Sequence, residues 1–349
     1  MKLLALVENL EDPCCRYRVR PFGPALAELG IRLEIAQLCR SPWGRLRQLR
    51  HAGRVDGVLL QRKLLPFWQL MLLRRWARKL IYDLDDALFQ RDSYHPKGPH
   101  SWQRAFAFCA TVRASDAVLA GNRYLAERVA RSIGPERVYR VPTCVDCQRY
   151  PLAEHRQAGA GVKLVWIGQP SNLPSLFCIQ AHLAEAARRV AGLSLRIICN
   201  RFPHLEGIRV LPYRWSEELE PVALAEADIG ICWLPPDTWS LGKCGLKVLQ
   251  SMAAGLPVVA NPFGIHRELV HHGKTGFLAE TPQQWAEAIE QLVWNPALRR
   301  AVGHQARTLV EEQYNVARWA PRWAKIVAGI LTAKRVLPAN DCLGKKEAA

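Results

Sequence analysis

Residues 242–278 read GKCGLKVLQSMAAGLPVVANPFGIHRELVHHGKTGFL, and the reading of this run decides the fold. Gly242 and Gly245 lie where backbone N–H groups can come close to a ligand. Leu246 to Ala254 follows as a helix with Leu246, Leu249 and Ala253 on one face. The free N–H groups of its first turn carry partial positive charge suited to a diphosphate, and Lys243 and Lys247 add full charges at the same end. Gly255 stops the helix and Pro257 opens the strand PVVA. Gly264 begins a loop at that strand's carboxyl end, and Gly273 and Gly276 frame a further turn. An ordinary strand–helix–strand unit has no need of two glycines and two lysines gathered at one helix start.

The same alternation extends outward in both directions. Apolar runs at 3–7, 33–36, 58–60, 80–82, 117–119 and 137–141 read as strands, with helices at 21–29, 67–79, 101–114 and 122–132. YPLAEHRQAGAG, 150–161, lacks strand character and reads as a linker. A second alternation begins at Lys163, with strands at 164–168, 195–199, 208–211, 229–232 and 257–260 and a helix over 176–190. The fold class is α/β, with two Rossmann-like domains whose parallel sheets face a cleft. Ligands of open parallel sheets bind outside the carboxyl ends of strands. Function is therefore expected in the loops 8–20, 83–92, 121–122, 168–172 and 234–245.

The chain has 349 residues, enough for two domains, and a balanced composition that excludes a disordered or fibrous protein. The apolar run in MKLLALVE is about five residues, too short for a signal-peptide core. No stretch approaches the roughly 18 apolar residues of a membrane span. These features point to a cytoplasmic protein. Cys144 and Cys147 form a lone C-x-x-C without the second ligand pair a zinc site needs, so no metal is expected. The net charge is +17, and residues 1–150 hold 26 Lys and Arg against 14 Asp and Glu. That excess points to an anionic partner, or to a solvated basic surface.

The helix ending in MAAGLPVVA, the G-x-x-E loop of Gly264 to Glu268, and the closing G-x-x-G-F-L follow one another as in the second domain of GT-B fold glycosyltransferases. The sequence resembles glycosyltransferase family 4 in particular. VPTCVDCQRY at 141–150, LVWIG at 164–168 and AEADIGICWLP at 225–235 extend the resemblance more weakly. It implies an acceptor-side domain over 1–150, a linker at 151–161 and a nucleotide-sugar domain over 162–313. A helix carrying Trp319 and Trp323 would cross back to the first domain over 314–335, leaving a loose tail at 336–349. The family pattern has two glutamates eight apart around the helix start. Gly242 and Gln250 stand at those positions here, and the stretch after Gly168, QPSNLPSL, lacks the family's bases. Lys243 and Lys247 are the remaining candidates for neutralising a diphosphate.

The resemblance implies retaining transfer of a sugar from a nucleotide-diphosphate sugar, with no cofactor and no metal. Donor-binding residues would be Gly168, Gly242, Lys243, Gly245, Lys247, Gln250, Gly264 and Glu268. In IYDLDDALF, 81–89, a strand delivers Asp83, Asp85 and Asp86 to its end; Asp85 and Asp86, with Lys243 and Lys247, are the catalytic candidates. Asp86 could instead cap the next helix. Arg16, Arg18, Arg20 and Asn122 are candidates for an anionic acceptor, a glycan or lipid-phosphate, since guanidinium groups bind phosphate bidentately. The alternative for the arginines is pairing with Glu8, Glu11 and Asp12. Residues 61–79 mix aromatics with bases and read either as a contact with an anionic membrane at its inner face or as a core helix with a basic outer side. His95 and His100 follow the Asp cluster and could touch substrate. A role in envelope polysaccharide synthesis fits these expectations. The competing readings are a nucleotide-sugar epimerase, a non-catalytic GT-B binding protein, and a nucleic-acid binder, the last without a recognisable motif.

Overall fold

The computed structural model describes residues 1–155, 158 and 161–333. The tail read at 336–349 and part of the linker lie outside them. The first domain runs β1 (Lys2–Val7), α1 (Pro13–Arg18), α2 (Gly23–Glu28), β2 (Arg32–Gln37), α3 (Pro42–His51), β3 (Gly57–Gln61), α4 (Phe67–Trp76), β4 (Leu80–Leu84), α5 (Trp102–Ala114), β5 (Ala117–Ala120), α6 (Arg123–Ile133) and β6 (Val138–Arg140). The second runs β7 (Lys163–Ile167), α7 (Pro174–Cys178), α8 (Gln180–Arg189), β8 (Ser194–Cys199), β9 (Arg209–Arg214), α9 (Glu220–Ala225), β10 (Ile229–Cys232), α10 (Leu246–Ala253), β11 (Val258–Ala260), α11 (His266–Leu269), β12 (Gly276–Leu278), α12 (Pro282–Trp294), α13 (Pro296–Gln313) and α14 (Val316–Thr332).

Each domain is a six-stranded sheet, ordered β2-β1-β3-β4-β5-β6 and β12-β11-β10-β7-β8-β9, and every pairing is parallel. Strands such as Gly57–Gln61 and Leu80–Leu84 are buried along their whole length, because helices cover both faces. Separate apolar cores fill the two sides of each sheet. α14 returns to the first domain: Trp323 is fully buried there and stacks on Phe22, ring centroids 5.0 Å apart. Among the described residues no helix is long and apolar enough to cross a membrane.

Several local readings are corrected. CCRYR, expected as loop, forms α1, with Pro13 in the first turn where its missing N–H costs nothing. The helix expected from Pro21 is a 3-10 turn over Arg20–Phe22 followed by the short α2. The helix expected over 67–79 stops at Trp76, because Ala77 is already extended and Leu80 begins β4. Cys144 and Cys147 lie in different cores, and burial pushes their thiols up to about 12 and about 11. They act as small apolar residues.

Candidate active site

Each sheet reverses its direction of winding once, between β1 and β3 in the first domain and between β7 and β10 in the second. Such switch points leave a crevice at the strand ends. The two crevices face each other and merge into one cavity of about 1030 Å³, at the upper end of the size range of ligand sites.

On the second-domain side, α10 points its N-terminus into this cavity from the end of β10. Gly245, the residue before it, has φ 73°, the left-handed backbone that glycine adopts without strain. Lys247 is the second residue of α10, in its first turn. Its ammonium sits 4.8 Å from the centre of the Trp166 ring and beside Gly168, whose missing side chain leaves it room. Among the described residues the Lys247 ammonium has no hydrogen bond and no carboxylate partner. Burial pushes its pKa down to about 8. A partly desolvated cation without a carboxylate partner, in the first turn of a helix, has the chemistry that suits an anionic group. Lys243, over the Trp239 ring at 4.9 Å, is already paired: its ammonium is 2.9 Å from Asp86, across the domain boundary.

On the first-domain side the three aspartates fan apart. Asp83 accepts two hydrogen bonds from Arg18, at 2.9 and 2.6 Å, a buried bidentate pair. Asp86 binds Arg62 as well as Lys243. Asp85 has one buried oxygen without a hydrogen bond, 3.8 Å from Arg62. Burial raises its carboxyl, but Arg62 and Arg18 outweigh burial and leave it below the usual carboxylate range. Among the described residues no group of three His, Cys, Asp or Glu side chains is placed to hold a metal ion.

A third feature lies at the cleft floor, where both domains and the linker meet. Glu220, at the start of α9, is buried and accepts from Tyr17, from Gln250 at 3.0 Å, from Trp215 at 2.6 Å and from Arg16 at 3.4 Å. Tyr150 joins through the Tyr17 hydroxyl at 3.0 Å, and Glu217 holds Arg16 at 2.9 Å. Gln250 therefore stands beside a carboxylate that arrives from elsewhere in the chain. A glutamate at 250 would place two buried negative charges about 3 Å apart, which is unfavourable unless one is protonated.

Residues 152–295 match the family described as glycosyl transferases group 1. The second domain is a group 1 glycosyl transferase domain. An N-acetyl-alpha-D-glucosaminyl L-malate synthase of Bacillus anthracis is 32% identical over 89 residues, 25% of this chain and 23% of that protein. A chitobiosyldiphosphodolichol beta-mannosyltransferase of Mus musculus is 26% identical over 177 residues, 48% of this chain and 33% of that protein. The chain thus spans a quarter to a third of the length of these curated relatives. The two domains together have the GT-B fold: the chain superposes on Anabaena HepE, solved with UDP and glucose, with TM-score 0.70 and 16% identity over 94% of this chain and 100% of that one.

The group 1 domain brings Gly168, Lys243, Gly245, Lys247 and Gln250 to the cavity, opposite Asp85, Asp86, Arg16 and Arg18. Gly242, Gly264, Glu268, Arg20 and Asn122 stay outside its lining. Gly242 is turned against the first domain, where a side chain would overlap the Ala87 backbone. Glu268 is exposed, and the same loop sends His266 to the cavity instead. Burial pushes His266 down to about 4, so its imidazole is neutral at pH 7. Arg20 is exposed and pairs with Glu11 at 3.5 Å. Asn122 caps α6 through Leu125 and donates to the carbonyls of Leu241 and Lys243, tying the domains together. Asp86 caps no helix; Ser101 caps α5. Arg16 and Arg18 line the cavity but are committed to Glu217, Glu220 and Asp83. His95 lines the cavity and His100 does not. Sequence reasoning missed Arg62, Trp166, Tyr17, Trp215 and Glu220. Only Arg62, directly after Gln61 at the end of β3, carried a signal: its place at a strand's carboxyl end.

Proposed function

We propose that the chain is a glycosyltransferase that moves a sugar from a nucleotide-diphosphate sugar to a glycan or lipid-phosphate acceptor, in envelope polysaccharide or glycoconjugate synthesis. The single observation that carries this reading is Lys247, a cation in the first turn of α10 without a carboxylate partner among the described residues. The donor diphosphate is assigned to Lys247, the first-turn N–H groups of α10 and the Gly168 turn, with Lys243 completing the charge. The sugar then faces Asp85 and Asp86 across the cleft. The transfer is assigned as retaining: the bond from the anomeric carbon to the diphosphate oxygen breaks, the acceptor oxygen bonds on the same face, and its proton passes to the departing diphosphate. The protein contributes position and charge stabilisation, and neither cofactor nor metal is assigned. The lipid-phosphate acceptor draws support from the name of the dolichol-linked mannosyltransferase relative. It also places the protein at the inner face of an anionic membrane.

The test is transfer from a panel of radiolabelled nucleotide sugars to a lipid extract. The expected result is labelled lipid with one donor, lost in Lys247→Ala while that variant stays folded. Near-normal transfer by Lys247→Ala sinks the assignment.

A further inference from the structure

The first domain turns one face outward with an unusual composition. α3, α4 and α5 lie side by side over one core, each contributing a few buried anchors such as Leu49, Leu70 and Phe108. They carry seven arginines and not one Asp or Glu. Arg47, Arg50, Arg75 and Arg113 are exposed and have no acidic partner among the described residues. On the same three helices Trp43 is 81% exposed and Trp102 79%, and Phe67, Trp68, Met71 and Phe106 are also exposed. Exposed apolar residues scattered singly are ordinary, but a contiguous set is not. This set spans neighbouring helices: Phe67 of α4 and Phe106 of α5 touch, ring centroids 6.1 Å apart, and Arg45 of α3 donates to Gln69 of α4 at 3.3 Å.

Their position follows from the topology. α3, α4 and α5 each follow a strand of one parallel sheet, so their first turns all stand at the sheet's carboxyl edge. Trp43, Phe67, Trp68 and Trp102 occupy those first turns. The aromatic rim is therefore beside the cleft mouth, where Ser101, Gln103 and Arg104 already belong to the cavity lining.

We propose that this three-helix face docks the protein on an anionic lipid bilayer, with the aromatic rim in the headgroup layer and the arginines against lipid phosphates. Trp and other aromatic side chains favour that layer, and unpaired arginines supply the attraction to acidic lipid. Charge decides the occupant. A second copy would bring the same unmatched arginines face to face. The docking deepens the lipid-phosphate reading of the acceptor and rests on it for its purpose, since it turns the cleft toward a substrate held in the membrane. It is measured without donor or acceptor, so the two claims can fail separately.

The test is co-sedimentation of the full chain with vesicles of phosphatidylcholine, with and without phosphatidylglycerol. The expected result is binding that requires phosphatidylglycerol and weakens with salt. Trp43→Ala/Trp68→Ala/Phe106→Ala and Arg47→Gln/Arg50→Gln/Arg75→Gln should each weaken it by about tenfold or more. All six positions are exposed and lie outside the cavity lining, so melting temperature and nucleotide binding should stay as in the wild type. Unchanged vesicle binding by both variants overturns the proposal. So does preference for single-stranded RNA over anionic vesicles, or a dimer in solution that the aromatic variant dissociates.

Discussion

Replacing Lys247 by methionine separates what the site costs from what it does. In the folded protein the ammonium titrates at about 8 rather than the ordinary 10.5. At about 1.4 kcal/mol per pH unit, holding that charge costs roughly 3 kcal/mol at pH 7. The side chain is only partly buried, so solvent screening reduces this. Loss of the Trp166 contact removes about 0.5–1 kcal/mol more of the gain. The net expectation is that Lys247→Met stabilises the ligand-free protein by about 1 kcal/mol, or about 2–4 °C in the melting temperature of a domain this size. The pH dependence has a definite sign. Folding lowers this pKa, so between about 8 and 10.5 the unfolded chain holds the proton and the folded chain does not. Wild-type stability gains from this group as pH rises through that window, and the variant lacks the gain. Scanning calorimetry with and without nucleoside diphosphate reads both effects. At a hundred times its dissociation constant a ligand adds about 2.7 kcal/mol, so its loss is easily seen. A variant less stable than wild type without ligand, or one still fully stabilised by nucleotide, refutes the reasoning.

Three further outcomes follow from named contacts. Gly242→Ala pushes a methyl into the Ala87 backbone, so turnover should fall while each domain stays folded, with a larger radius of gyration by small-angle scattering; an unchanged radius with normal turnover contradicts it. Glu220→Ala leaves Arg16 and the two tyrosines without their shared acceptor and should cost about 3–5 kcal/mol in denaturant unfolding; a loss under about 1 kcal/mol would mean the network is not buried as described. Gln250→Glu should destabilise the protein at pH 7 and recover as pH falls, because two close carboxylates can share one proton. Pairing it with Glu220→Gln should restore stability at pH 7, and failure of that double variant to recover shows that the carboxylate's position, not its count, matters.

The parts of this account that were legible in the sequence are those encoded locally. Alternating apolar and amphipathic runs mark the strands and the longer helices, because a buried parallel strand must be apolar along its length. Gly245, Lys243 and Lys247 announce an anion-binding helix start, because all three lie within one turn. The α1 segment was missed because six residues are too few to show a period. The end of α4 was overrun because Arg78 and Lys79 continue a plausible helical pattern past Trp76. The Glu220 network had no readable sign at all. Its members come from positions 16, 17, 150, 215, 220 and 250, and only folding brings them together. Two tertiary contacts account for the two departures from the family pattern: Gly242 makes room for Ala87, and Gln250 complements Glu220 where a second carboxylate would repel it.

The central claim is that a donor diphosphate sits on Lys247 at the start of α10. Its most direct test is calorimetric titration of wild type and Lys247→Ala with a panel of nucleoside diphosphates and their sugars at pH 7. The account predicts saturable binding of one nucleotide family by the wild type and loss of that binding in the variant. Equal binding by both proteins, or no binding of any nucleotide by the wild type, contradicts it.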